Sequence, residues 1–230
     1  MNRPKRPTSE EISALLQLGN PELCQTIAGM SRYVRFSNNE GFLSIGQLQS
    51  RMLFLAEGIA RFYYMDPGGR ELTQCFCTIP GYPLMVNVNT AGSLSGAHAV
   101  GKMTALEIPM DKGSALLASF PELMEFYNRI LNHALLYHAE IAVMLRSTTP
   151  QQRYQWLCAR MPEVVAHAQK RHIASFLGIT PETYSRLFAK KAPEPAEPDE
   201  IPTMYHAAEL RNSDSLWNQV EKLQFPPADS

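Results

Sequence analysis

The stretch KRHIASFLGITPETYSRLFAKK (170–191) decides how the chain is organised. Ile173 and Leu177 stand one helical turn apart, and Ile179 adds an apolar contact just past the helix exit. Ala174 is small enough for a second helix to cross closely. Gly178 stands where the first helix must stop and the backbone turn, a position that often requires positive φ. Thr180 then offers a side-chain oxygen as N-cap, and Pro181 fits the first helical position, where no backbone donor is needed. The next helix buries Tyr184 and Leu187 at i, i+3 spacing and leaves Glu182, Thr183, Ser185, Arg186 and Lys190 outside. The spacing predicts a helix-turn-helix.

A helix of that kind fits the major groove of double-stranded DNA, its first residues at base edges. Arg186 suits a bidentate contact to guanine, and Glu182 suits acceptance from a cytosine amine. Thr183, Lys190 and Lys191 suit phosphates, which position a protein without reading sequence. Lys170, Arg171, Thr180 and Ser185 complete the candidate DNA-binding set. The same spacing also fits an ordinary helical hairpin with solvated charges.

Charge separates these readings better than spacing does. The whole chain is nearly neutral at -1, but the average hides an asymmetry. Residues 146–191 carry eight basic against two acidic side chains, a net of +6; residues 192–230 carry two against eight, a net of -6. A basic module lies against an acidic tail, the distribution expected of a DNA-binding region beside a masking segment.

Working outward, the 230 residues hold one large or two modest domains. No apolar run is long enough to span a membrane, and no apolar segment follows the N-terminal basic residues, so a cytoplasmic protein is expected, with no membrane partner. The four cysteines (Cys24, Cys75, Cys77, Cys158) form no disulfide framework. Cys75 and Cys77 share one face of an expected strand; without a second pair they fit buried thiols better than a metal site, and neither metal nor cofactor is expected.

An amphipathic helix over 10–18 opens the chain, followed by short strands. Residues 51–57 and 59–65 alternate as two strands with Gly58 as the break, Asp66-Pro67-Gly68-Gly69 is a turn, and 70–77 returns. Further short strands punctuated by glycine and proline imply a small β-barrel or roll. Between Pro121 and Leu145 the pattern becomes helical: Leu123, Phe126, Ile130, Leu131, Ala134, Tyr137, His138, Ile141 and Leu145 recur at three- and four-residue steps. Such a stripe suits the paired helix of a homodimer; a single core helix is the alternative. A basic helix over 151–161 follows, capped by Thr149.

With roll, long helix, short helix and helix-turn-helix in that order, the chain resembles the Crp/Fnr family of bacterial transcription regulators. The residues that carry the resemblance are FLAEGIARFYYMDPGGRELT (54–73), PQQRYQWLCARMPEV (150–164) and 170–191, within about residues 20–191. The resemblance implies an α+β chain. It would comprise a cyclic-nucleotide-binding-like β-roll of the cupin-like jelly-roll kind (1–118), a dimerisation helix (119–147) and a winged-helix-type DNA-binding domain (148–191). An acidic, proline-rich tail (192–230) would follow. It further implies a homodimer reading a two-fold-symmetric site.

Two departures qualify that implication. Members that bind cyclic AMP carry a Phe-Gly-Glu followed by an arginine; here no arginine occurs between Arg70 and Arg129, so cyclic AMP is not the expected effector. Ser93, Ser95 and His98 remain candidates to line a pocket for an unknown small-molecule effector, or are simply polar loop residues. Pro181 stands where cyclic-AMP-responsive members place an arginine, so the target site should differ at that base. The iron–sulfur members' cysteine cluster is missing, and His98, His133 and His138 fit core or solvated histidines better than haem ligands. No nucleophile–base pair stands out, so an enzyme is not expected. The competing reading is a small-molecule sensor or protein-interaction scaffold that has lost DNA binding.

In the tail, Pro193, Pro195, Pro198 and Pro202 describe a stiff linker, and SLWNQVEKL (215–223) a short amphipathic helix. The tail either folds over the basic module and weakens DNA binding or stays solvated.

Overall fold

A computed structural model describes residues 5–84 and 92–188; Lys190, Lys191 and the tail 192–230 with its expected helix lie outside the described residues. Two helices come first, α1 (Ser9–Leu16) and α2 (Pro21–Met30). Thr8 and Glu11 close a capping box on α1, with Glu11 N–H donating to Thr8 Oγ1 at 3.2 Å and Thr8 N–H to the Glu11 carboxylate at 3.1 Å. The helix ends before the expected Leu18 because Gln17 turns left-handed at φ 54°. The sequence expectation contains no α2. Asn20 Oδ1 caps it, accepting from Glu22 and Leu23 N–H at 3.0 and 3.1 Å, with Pro21 in the first position.

Five strands follow: β1 (Arg32–Phe36), β2 (Gly41–Leu43), β3 (Arg51–Met65), β4 (Glu71–Cys77) and β5 (Gly96–Pro109). They form one antiparallel sheet in the order β1-β5-β3-β4, with β2 also on β5. The expectation of two strands broken at Gly58 is corrected: β3 runs through as one strand. Gly58 lies at a register shift with φ +98°, and a Cβ there would come within 2.5 Å of the Lys102 carbonyl oxygen, so it forms a bulge. The strand bends without losing its partner. The turn before β4 is held by Asp66, whose carboxylate accepts from Arg70 N–H at 2.9 Å and Nε at 2.8 Å.

Residues 81–84 run along the first half of β3: Leu55 N–H donates to Tyr82 O at 2.8 Å and Leu84 N–H to Leu53 O at 2.7 Å. Gly46 N–H donates to Ser93 O at 2.7 Å, tying in a second loop. One face of this roll buries Leu55, Phe62, Ala97, Ala99 and Met103. Cys77 lies among them and burial pushes its thiol up to about 12; Cys75 packs beside it and is raised for the same reason. Both are neutral thiols at physiological pH.

Helices α3 (Met110–Ser119), α4 (Glu122–Ser147), α5 (Pro150–Arg160), α6 (Pro162–His167), α7 (Lys170–Phe176) and α8 (Pro181–Phe188) complete the α+β fold. Glu122 fixes the start of α4, accepting from Gly19 N–H at 2.8 Å, while Leu123 is buried with α1, α2, Phe54 and Leu106. Thr149 caps α5, Gln152 N–H donating to its Oγ1 at 3.4 Å. The outward residues of the sheet, Ile59, Phe76 and Val100, join one apolar cluster with Ile141 and Met144 of α4, Trp156 and Leu157 of α5, and Ile173, Phe176 and Tyr184 further on. The alternation along the strands thus serves the roll's own core on one face and two clusters beneath the helices on the other.

Candidate nucleic-acid interface

α7 stops at Leu177, and the chain turns through Gly178 at φ +66°. Gly178 N–H donates to Ser175 O at 3.1 Å and Ile179 N–H to Ala174 O at 3.0 Å, which satisfies carbonyls that the helix end leaves open. Arg153, reaching from α5, donates through Nη1 to Leu177 O at 2.5 Å and fastens the corner. Thr180 then caps α8, accepting from Thr183 N–H at 3.2 Å. Its hydroxyl therefore shapes the helix start, whatever else it touches.

Tyr184 turns inward and meets Tyr154 edge-on at 5.7 Å between ring centroids; Phe188 stacks on Tyr154 at 4.1 Å. On the opposite side Glu182, Ser185 and Arg186 are exposed at i, i+3 and i+4, so they share one strip of α8. Thr183 is half-buried at its margin. The backbone N–H at the helix start and the Thr180 hydroxyl hold the Glu182 carboxyl below its ordinary value, so it stays ionised as an acceptor. Lys170 and Arg171 are exposed in the first turn of α7. Two cations at the positive end of a helix gain nothing from its dipole, so their presence there has no local explanation.

Ser93, Ser95 and His98 do not converge. Ser93 and Ser95 are buried, and the Ser93 hydroxyl donates to the Ser95 carbonyl oxygen at 2.7 Å. His98 stands on β5 between Ala97 and Ala99, which face the roll interior; its own side chain faces outward, toward α7. His133 packs against Tyr82 at 5.4 Å and His138 is exposed beside Tyr137. Among the described residues no three His, Cys, Asp or Glu side chains gather as metal ligands.

His98 instead belongs to a group whose members are far apart along the chain. Arg61 of β3 is fully buried, donating through Nε to Thr73 Oγ1 at 2.8 Å and through Nη1 to the Glu71 carboxylate at 2.5 Å. His98 Nε2 lies 3.4 Å from the same Nη1. The His98 ring packs on Tyr63 at 5.6 Å and on His172 of α7 at 5.4 Å. Burial, then the Arg61 charge, lowers both histidines, His172 to about 4. The one signal available in advance was Arg61 itself, a charge inside an apolar strand.

α4 presents two faces. Leu123, Ile141 and Met144 are buried against the rest of the chain. Met124, Asn128, Leu131, Leu135, His138 and Leu145 are exposed, with Ala142 half-buried in the same line. These seven alternate at four- and three-residue steps, the a/d spacing of a two-stranded coiled coil. The stripe expected from sequence mixed both faces. Glu140 ties α4 to α5, accepting from Trp156 Nε1 at 3.0 Å and Arg160 at 3.2 Å.

No helix among the described residues is long and apolar enough to cross a membrane. No family model matches the chain. It is 25% identical over 172 residues, 70% of its own length and 72% of the relative's, to the nitrogen fixation regulation protein FixK of Bradyrhizobium diazoefficiens. Its fold is similar to that of FixK2 from Bradyrhizobium japonicum, with a TM-score of 0.60 at 16% identity over 70% of this chain and 83% of that one. It is similar also to the c-di-GMP-responsive global regulator CLP of Xanthomonas campestris, with a TM-score of 0.60 at 14% identity over 74% and 91%. Similarity in sequence to FixK and similarity in fold to FixK2 and CLP thus point the same way, and the chain shares the fold of these regulators.

Proposed function

We propose that the protein is a homodimeric, sequence-specific DNA-binding transcription regulator, with α7 and α8 as its helix-turn-helix. The observation that carries the reading is the strip of Glu182, Ser185 and Arg186 on the open side of α8, opposite the buried Tyr184. Arg186 reads a guanine and Glu182 a cytosine amine; Lys170, Arg171 and Lys190 meet phosphates and supply the salt-dependent part of the affinity. The roll (1–118) is the sensor, 119–147 the dimerisation helix and 148–191 the DNA-binding domain, followed by the tail 192–230. The dimer forms along Met124, Leu131, Leu135 and Leu145 of α4 with a second copy of the chain. Cyclic AMP is not its effector, because the chain between Arg70 and Arg129 holds no guanidinium for the cyclic phosphate.

The test starts from duplexes selected from a random pool by the full-length protein. R186A should lose about 1–3 kcal/mol on the selected site and keep its nonspecific, salt-dependent binding. Equal loss of both modes would assign Arg186 to the backbone, and no selected sequence at all would leave the sensor or scaffold reading in its place.

A further inference from the structure

β4 is the last strand of the described sheet, and its free edge faces α7. The contact is polar at its centre: Thr73 N–H donates to the Ser175 hydroxyl of α7 at 2.8 Å. Around it stand the buried Arg61 with Thr73 and Glu71, then His98, then His172. Phe76 and Phe176 close the far side edge-on at 5.5 Å.

The charges in this seam do not balance for a protonated histidine. Arg61 is wholly buried and its Nη2 has no partner among the described residues. The second cation acting on the histidines is Arg171, on α7 itself. The single carboxylate, Glu71, is 40% exposed on its side chain and already engaged by Arg61. Tyr63, the other titratable group against His98, stays neutral because burial raises it. His98 and His172 are 9% and 5% exposed, so a proton on either ring is a poorly solvated cation close to Arg61.

We propose that the seam between β4 and α7 is an acid-sensitive latch, closed while His98 and His172 are neutral and opened when either is protonated. The sign follows from linkage. Both histidines sit below their ordinary value of 6.5 in the closed form, so the closed form binds fewer protons than the open one. Closure is therefore complete above pH 6.5 and lost as the pH falls from there toward 4. Because α7 leads through the Gly178 turn into α8, an open latch loosens the footing of the DNA-reading helix. That consequence rests on the function proposed above, whereas the latch itself does not.

The Thr73 amide reports closure directly, since its acceptor is on α7. Residue-resolved amide exchange on the full-length protein, corrected for intrinsic rates, should show Thr73 protection falling tenfold or more between pH 7.5 and 5. The amide of Ala105, deep in the sheet, should hold. The double variant H98Q/H172Q should keep Thr73 protection constant across the range. An unchanged Thr73 in the native protein, an equal fall in the double variant, or a fall shared by Ala105 would each overturn the latch. If the double variant does not fold, the ring titrations of the native protein decide: a midpoint of His98 or His172 coinciding with the loss of Thr73 protection supports the latch, and no coincidence overturns it. No DNA is present, so failure of the DNA reading leaves the result untouched.

Discussion

α7 and α8 are held to the rest of the protein in contrasting ways. α7 meets the roll through a buried arginine, two histidines and a hydroxyl that completes the edge of a strand, beside the apolar Phe76–Phe176 pair. α8 meets α5 through three aromatic rings, Tyr154, Tyr184 and Phe188, packed within 5.7 Å of one another. Apolar burial is non-directional and indifferent to protons, so the aromatic contact persists wherever the chain is folded. The polar contact has strict geometry and depends on protonation state. A helix pair anchored permanently on one side and conditionally on the other is suited to transmit a change without falling apart.

Four substitutions break or sharpen that contrast. The largest effect is expected from Y184A, which removes the centre of the aromatic contact and should cost about 3–5 kcal/mol of unfolding free energy. Urea titrations should give the same loss at pH 5.5 and pH 7.5; a loss that varies with pH would mean that the two contacts are not separate. Next, H172Q should remove the His172 share, on the order of 2 kcal/mol, of the acid-dependent loss between pH 6.5 and 4, with the His98 share remaining and stability at pH 7.5 little changed. The same urea titrations, repeated in that window, check it.

G178A acts at the joint between the two helices. An L-residue at φ +66° is strained, and its Cβ would come within 3.1 Å of Arg153 Nη1 and 3.2 Å of Leu145 Cδ2. A loss of about 1–2 kcal/mol should appear as a lower thermal midpoint at every pH. S175A is the smallest. It removes the acceptor for Thr73 N–H and should cost about 1 kcal/mol at pH 7.5, where the latch is closed, and progressively less toward pH 4, where that bond is already lost. A cost that stays the same down to pH 4 would show that the hydroxyl contact does not answer to the histidines.

What was legible in the sequence was local. Thr149 before Pro150, Thr180 before Pro181 and Gly178 at the turn each act through backbone within a few residues, so composition and spacing suffice. The exposed strip on α8 followed from the same periodicity. Gly58 misled because glycine marks either the end of a strand or a bulge within it; pairing with β5 decides, and that partner lies some forty residues on. The stripe of α4 merged two faces because three- and four-residue steps fit both sides of a wide apolar surface. His98 was left in the sequence as either a pocket candidate or a polar loop residue, whereas its partners Arg61 and His172 come from a different strand and from a distant helix. Nothing in a linear pattern brings those together.

β4 also bears on solubility. Its outer rim of main-chain donors and acceptors is shielded by α7, and Leu72 and Phe76 of the same strand are apolar. Removing that shield would expose a bare template on which a strand from another molecule can add, with Glu71 as the main charge opposing it. Acid-induced precipitation of this protein would then proceed by strand-on-strand growth from β4, and a lysine introduced on that rim would suppress it.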